Sequence, residues 1–119
     1  MKAPKIMIVD DELGPREALK MILRDDYDVF TASSGREALH YLHADEFDLM
    51  ILDIRMPDMS GIDLLARVKN RVPETEVVMI TAYASVETAT HALRQGALDY
   101  LIKPFDSSAV KEVVARGLA

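Results

Sequence analysis

At 119 residues the chain fits one compact domain, and its composition, 50% hydrophobic and 29% charged, is that of a globular protein rather than a disordered one. Fourteen Lys and Arg against twenty Asp and Glu leave a formal charge of -6, which argues against direct nucleic-acid binding, because a basic footprint is what holds a phosphate backbone. Without cysteine there is neither a disulfide framework nor a thiolate metal site, and no apolar run approaches the ~20 residues of a membrane span.

Met1, Lys2, Ala3 and Pro4 lead into an apolar segment too short for a signal peptide, so the expected setting is cytoplasmic and away from membranes. That segment, residues 6–9, predicts a first strand. Gly14 and Pro15 follow, proline suiting a first helical turn, and Ala18, Leu19, Ile22 and Leu23 form one helical stripe. Val29 and Phe30 predict a second strand. Ser34 with Glu37 has capping-box spacing and opens a helix with Ala38, Leu39 and Leu42 on one side.

Residues 49–52 predict the third strand, and Ser60 caps a helix whose buried side is Leu64, Leu65 and Val68. After a fourth strand at residues 77–80, Ser85 caps a helix carrying Ala89, Ala92 and Leu93 inward, and Gly96 stops it. Residues 100–102 predict the fifth strand, and Asp106 or Ser107 starts a last helix with Val110, Val113 and Val114 inward. Three of the five runs are continuously apolar, as in parallel strands covered on both faces. Five β-α units in succession imply an α/β fold with a doubly wound parallel sheet and right-handed crossovers.

In such a sheet ligands bind beyond the carboxyl ends of the strands. The first strand ends in Asp10, Asp11 and Glu12, the third in Asp53, the fourth in Thr81 and the fifth in Lys103 and Pro104. Each residue alone is explained as well by capping or turn formation. Together, crowded carboxylates repel one another unless a cation offsets them, and an oxygen-only donor set suits Mg²⁺. A carboxylate can also be the nucleophile toward a phosphoryl group whose oxygens are neutralised by Mg²⁺, an ammonium and a hydroxyl. Asp53 is the candidate nucleophile because it stands alone at the end of a central strand, whereas adjacent Asp10 and Asp11 are placed to share a metal.

Residues 8–12 (Ile-Val-Asp-Asp-Glu), 52–61 (Leu-Asp-Ile-Arg-Met-Pro-Asp-Met-Ser-Gly), 80–82 (Ile-Thr-Ala) and 100–105 (Tyr-Leu-Ile-Lys-Pro-Phe) resemble, in order and over essentially the whole of residues 1–119, the signatures of response regulator receiver domains. The resemblance implies a flavodoxin-like (βα)5 fold with strand order 2-1-3-4-5. It also implies a switch in a two-component signal transduction system, which catalyses its own phosphorylation and dephosphorylation without turning over an external substrate. By the same resemblance Asp53 accepts the phosphoryl group of a histidine kinase. Asp10, Asp11, Asp53 and the main-chain carbonyl of Arg55 hold Mg²⁺, with Asp11 the closer acid-pocket ligand. Thr81 and Lys103 bind the phosphoryl oxygens, small Ala82 leaves access, Tyr100 changes rotamer with the state, and the bond before Pro104 is cis. Residues 53–57, 81–83 and 103–106 look most like receivers of σ54-dependent, NtrC-type transcriptional activators, in which an output domain would belong to a longer chain. Arg55 and Tyr83 sit two residues beyond Asp53 and Thr81, where family members vary and tune phosphoryl lifetime.

His40 and His43, three apart on a helix, lack a third metal partner and read as a solvated face, and His91 as a surface residue. The methionines read as packing, with Met56 and Met59 candidates for a lid near Asp53. The small and apolar residues of the fourth helix, with Tyr100 nearby, are a candidate face for a second copy of the chain, through the fourth helix, fifth strand and fifth helix, and structural packing explains them as well. Two other readings use the same sheet. A Mg²⁺-dependent phosphohydrolase with Asp10 as nucleophile expects an aspartate two residues on, where Glu12 stands, and a cap insertion. A nucleotide or flavin binder expects a glycine-rich loop after the first strand, where Asp11 and Glu12 stand instead.

Overall fold

The computed structural model describes residues 2–83 and 85–119; Met1, where the segment read as too short for a leader begins, lies outside them. The elements run β1 (Lys5–Val9), α1 (Leu13–Leu23), β2 (Asp28–Ala32), α2 (Gly35–Ala44), β3 (Leu49–Asp53), α3 (Gly61–Arg71), β4 (Glu76–Thr81), α4 (Val86–Arg94), β5 (Asp99–Ile102) and α5 (Ser107–Gly117). All strand pairs are parallel, and the sheet order is β2-β1-β3-β4-β5.

The three continuously apolar runs are the three inner strands, and from Ile6, Leu49 and Val77 to their ends every residue is buried. Successive side chains point to opposite faces, so each strand feeds two cores. Met7, Val9, Met50, Leu52, Val77 and Met79 join α2, α3 and Ala92 of α4. Ile6, Ile8, Leu49, Ile51, Val78 and Ile80 join Leu19 and Leu23 of α1 and the three valines of α5. Removing one such buried leucine to alanine costs about 2–5 kcal/mol.

Helix starts follow the expected chemistry. Ser34, Ser60, Ser85 and Asp106 each accept, through a side-chain oxygen, from the amide three residues on. The reciprocal arm at α2 goes one residue further back than in a capping box, from Ser33 N to Glu37 Oε1. Gly96 ends the α4 region with φ 103°, a left-handed conformation that favours glycine. Leu93, expected inward, is 46% exposed. Ala89 and Ala92 take the buried line of α4, and their small size leaves the bulkier Leu93 at its rim.

Candidate functional site

The register of the inner strands assembles the site. Val9 pairs with Leu52 and Asp53 with Ile80, so Asp10, one step beyond β1, stands beside Asp53 at the end of β3. Thr81 closes β4 and pairs with Ile102, which brings Lys103 to the same edge. Carboxylate oxygens of Asp10, Asp11 and Asp53 all lie within 4.8 Å of one another. Asp10 and Asp53 are buried and Asp11 is exposed, so the cluster opens to solvent on the Asp11 side.

Lys103 is the counter-charge. Its Nζ lies 2.9 Å from Asp10 Oδ2, 3.3 Å from Glu12 Oε1 and 3.5 Å from Asp53 Oδ2. The approach to Asp10 Oδ2 is close but out of line for a hydrogen bond, so that buried oxygen has a charge partner and no aligned donor. Asp10 Oδ1 accepts from Glu12 N at 2.9 Å, and Asp53 Oδ1 accepts from Arg55 N at 3.3 Å. Burial, then repulsion from Asp10, pushes the Asp53 carboxyl up to about 7, against the opposing pull of Lys103 and the Arg55 amide. Burial alone would lower Lys103, but Asp10, Asp53 and Glu12 outweigh it and hold the ammonium above its usual range.

These residues fit a hard divalent cation. The donors are all oxygen, three carboxylates converge, one buried carboxylate oxygen lacks an aligned donor, and burial with repulsion from Asp10 makes the Asp53 carboxylate one that further positive charge would stabilise.

Thr81, also buried, accepts at Oγ1 from Tyr83 N at 3.0 Å, which leaves its hydroxyl proton to give. Ala82 is exposed beside it. Tyr100 is half-buried against the core on the α2, α3 and α4 side. The Lys103–Pro104 bond is cis. The β3–α3 loop is drawn in tightly: Gly61 N donates to Ile54 O at 2.7 Å, and a Cβ on Gly61 would lie 2.0 Å from the carbonyl oxygen of Asp53.

Residues 6–115 match the response regulator receiver domain. The chain belongs to the response regulator receiver family. Such receivers work in phosphorylation-dependent two-component signalling with histidine kinases and bind Mg²⁺ in an acidic pocket. This receiver is 44% identical over 119 residues to the response regulator protein PilR of Pseudomonas aeruginosa, covering 99% of the chain and 27% of PilR. It is 44% identical over 115 residues to the transcriptional regulatory protein ZraR of Escherichia coli, covering 96% and 26%. The chain thus spans about a quarter of the length of these curated relatives. Among solved structures it is similar to a CheY-like receiver domain from Methanospirillum hungatei, with TM-score 0.94 and 32% identity over 98% of this chain and 94% of that one. The receiver domain of NtrX from Brucella abortus gives TM-score 0.90 at 35% identity over 95% and 97%.

Several contacts at the receiver's edge escape sequence reasoning. Glu12 reaches Lys103, Arg16 donates to the main-chain oxygen of Asp10 at 2.9 Å, and the Arg55 guanidinium lies 4.2 Å from the centre of the Tyr83 ring. All join residues through folding; the adjacency of Glu12 to the aspartate pair, and the matching places of Arg55 and Tyr83 two residues beyond Asp53 and Thr81, singled out residues but not these contacts. Met56 and Met59, read as a lid, are half-buried against the core. His40, His43 and His91 are exposed, with His43 against Arg71 and His91 within 3.0 Å of Gln95. Among the described residues no helix is long and apolar enough to cross a membrane.

Proposed function

We propose that this receiver takes a phosphoryl group from the phosphohistidine of a sensor histidine kinase onto Asp53, in a Mg²⁺-dependent reaction, and switches conformation to control an output. The observation that carries the reading is the convergence of Asp10, Asp11 and Asp53 around one edge with Lys103 held among them. A carboxylate oxygen of Asp53 attacks phosphorus, the P–N bond breaks, and the bonding pair leaves with the imidazole nitrogen, which takes a proton from solvent to give neutral histidine. The carboxylates of Asp10, Asp11 and Asp53 and the main-chain carbonyl of Arg55 would hold Mg²⁺, which when bound neutralises charge on the phosphoryl oxygens. Lys103 exchanges its contact with Asp53 for one with the phosphoryl group, and Thr81 donates its free proton to another phosphoryl oxygen. That movement of Thr81 opens space for Tyr100, which carries the change to the surface of α4, β5 and α5.

The output is transcriptional by analogy with relatives such as ZraR, and lies in the part of those proteins that this chain does not span. Exposed Val86, Leu93 and Ile102 make the α4, β5 and α5 face the surface for an output domain or a second copy. The cytoplasm is the proposed setting, as the histidine kinase partner requires.

Incubation with acetyl phosphate and Mg²⁺ followed by intact mass tests the reading. Wild type gains one labile phosphoryl group and Asp53→Asn gains none. Steady release of inorganic phosphate without labelled protein would instead make the chain a hydrolase and overturn the proposal.

A further inference from the structure

The β3–α3 loop, residues 54–60, carries the Arg55 carbonyl, and its base is closed by the Gly61 to Ile54 hydrogen bond. A second fixture comes from another element. Asp58 reaches the first turn of α2, where Oδ1 accepts from Gly35 N at 3.2 Å and Oδ2 from Arg36 N at 2.9 Å. A helix start leaves four amides without intrahelical partners. Here one carboxylate from a loop more than twenty residues along the chain takes two of them, and Ser34 Oγ takes Glu37 N. Alongside, Met59 lies so close to Gly35 that a Cβ there would meet Met59 Cγ at 2.5 Å. Loop and helix therefore meet in a contact with both polar and steric complementarity. The Arg36 amide, and then that of Gly35, hold the Asp58 carboxyl below its usual range, as expected where donors bond the charged form.

We propose that Asp58 is a positioning residue for the metal site, anchoring the β3–α3 loop on the N-terminus of α2 so that the Arg55 carbonyl keeps one place relative to Asp10, Asp11 and Asp53. The inference rests on the reading that those residues hold Mg²⁺. A loop already fixed loses little freedom when its carbonyl takes a metal, whereas a freed loop must be ordered at the moment of binding. Ordering one or two residues costs on the order of tenfold in affinity, and outer supports of metal ligands commonly matter by about 10- to 100-fold.

The test is titration of the full chain with Mg²⁺ alone, followed by the amide resonances around Asp11 and Asp53, for wild type, Asp58→Ala, Asp58→Asn and Ser34→Ala. Asp58→Ala should raise the Mg²⁺ dissociation constant about tenfold, and Asp58→Asn, which keeps one acceptor oxygen, should fall between it and wild type. Ser34→Ala frays the same helix start without touching the loop, so it should lower the melting temperature and leave Mg²⁺ affinity unchanged. An unchanged affinity in Asp58→Ala, or an equal loss in Ser34→Ala, overturns the anchor. Should Asp58→Ala not fold, wild-type affinity in Asp58→Asn overturns it equally. A wild type that shows no saturable response to Mg²⁺ defeats the metal reading itself, a result distinct from wild-type binding with unaffected variants.

Discussion

Asp53→Asn should stabilise the metal-free protein, by an amount that grows with pH. Asp53 is 3% exposed, and its carboxyl is pushed from 3.8 up to about 7, first by burial and then by Asp10. Between those values the folded chain holds a proton that the unfolded chain has released. Stability is therefore intact below the unfolded value and falls as pH rises to the folded one. At about 1.4 kcal/mol per pH unit the gap sets a ceiling of about 4 kcal/mol. Relaxation and water entry bring the expected gain to roughly 2–3 kcal/mol. Asparagine neither ionises nor repels Asp10, and Lys103 keeps its 2.9 Å contact with Asp10, so the substitution orphans no charge. Urea unfolding of both proteins in chelator, from pH 4 to 8.5, gives a difference curve in which unrelated titrations cancel. It should start near zero, rise between pH about 4 and about 7 and then level off at roughly 2–3 kcal/mol. Asp58 and Asp106, both held below their usual range, act at lower pH and leave that window clear. A flat difference, or a variant less stable than wild type at pH 8, would refute the reasoning.

Three further outcomes are expected. Wild type should melt higher with Mg²⁺, by about 1.4 kcal/mol at ten times the dissociation constant, and Asp11→Asn should lose most of that increment while being at least as stable as wild type without metal. Thermal melts at matched ionic strength check both; a loss of about 1 kcal/mol with an unchanged Mg²⁺ increment would make Asp11 a mere cap. Gly61→Ala should cost at least about 1–3 kcal/mol, because its Cβ would collide with the backbone of Asp53 and Ile54 rather than with a flexible side chain; denaturant midpoints report it. Thr81→Ala should still accept a phosphoryl group but transmit poorly, so amide shifts at Tyr100 and along α4 on phosphorylation should be much smaller than in wild type.

Sequence reading served best where one residue's environment is set by its own strand or helix. The inner strands declared themselves through unbroken apolar runs, because both of their faces are covered. The edge strands did so less well: β2 runs from Asp28 to Ala32 although only Val29 and Phe30 stood out, since a half-exposed edge tolerates Asp28 and Thr31. Asp10, Asp53, Thr81 and Lys103 were legible as a set because parallel strands deliver their ends to one edge. Asp58 was not, since its partners are main-chain amides that every residue except proline carries, and their approach depends on how α2 lies beside the β3–α3 loop. The stacking of Arg55 on Tyr83 was hidden for the same reason, as it joins two loops through side chains with no pattern of their own.

The two-sided sheet sorts the site as well as the core. Carrying the alternation of each strand one step past its end, Asp10 follows Ile6 and Ile8, Asp53 follows Leu49 and Ile51, and Lys103 follows Leu101, all facing α1 and α5. Thr81 follows Val77 and Met79 and shares the opposite face with Tyr100, toward α2, α3 and α4. Asp10, Asp53 and Lys103 thus continue the rows on one side of a single layer, while Asp11 continues the row of Met7 and Val9 and lies with the pair proposed to move on the other. The layer would act as a partition between two proposed tasks that can drift separately: repacking beneath α1 and α5 would bear on how readily the proposed acceptor Asp53 reacts, while repacking beneath α3 and α4 would bear on what the reaction is heard to say.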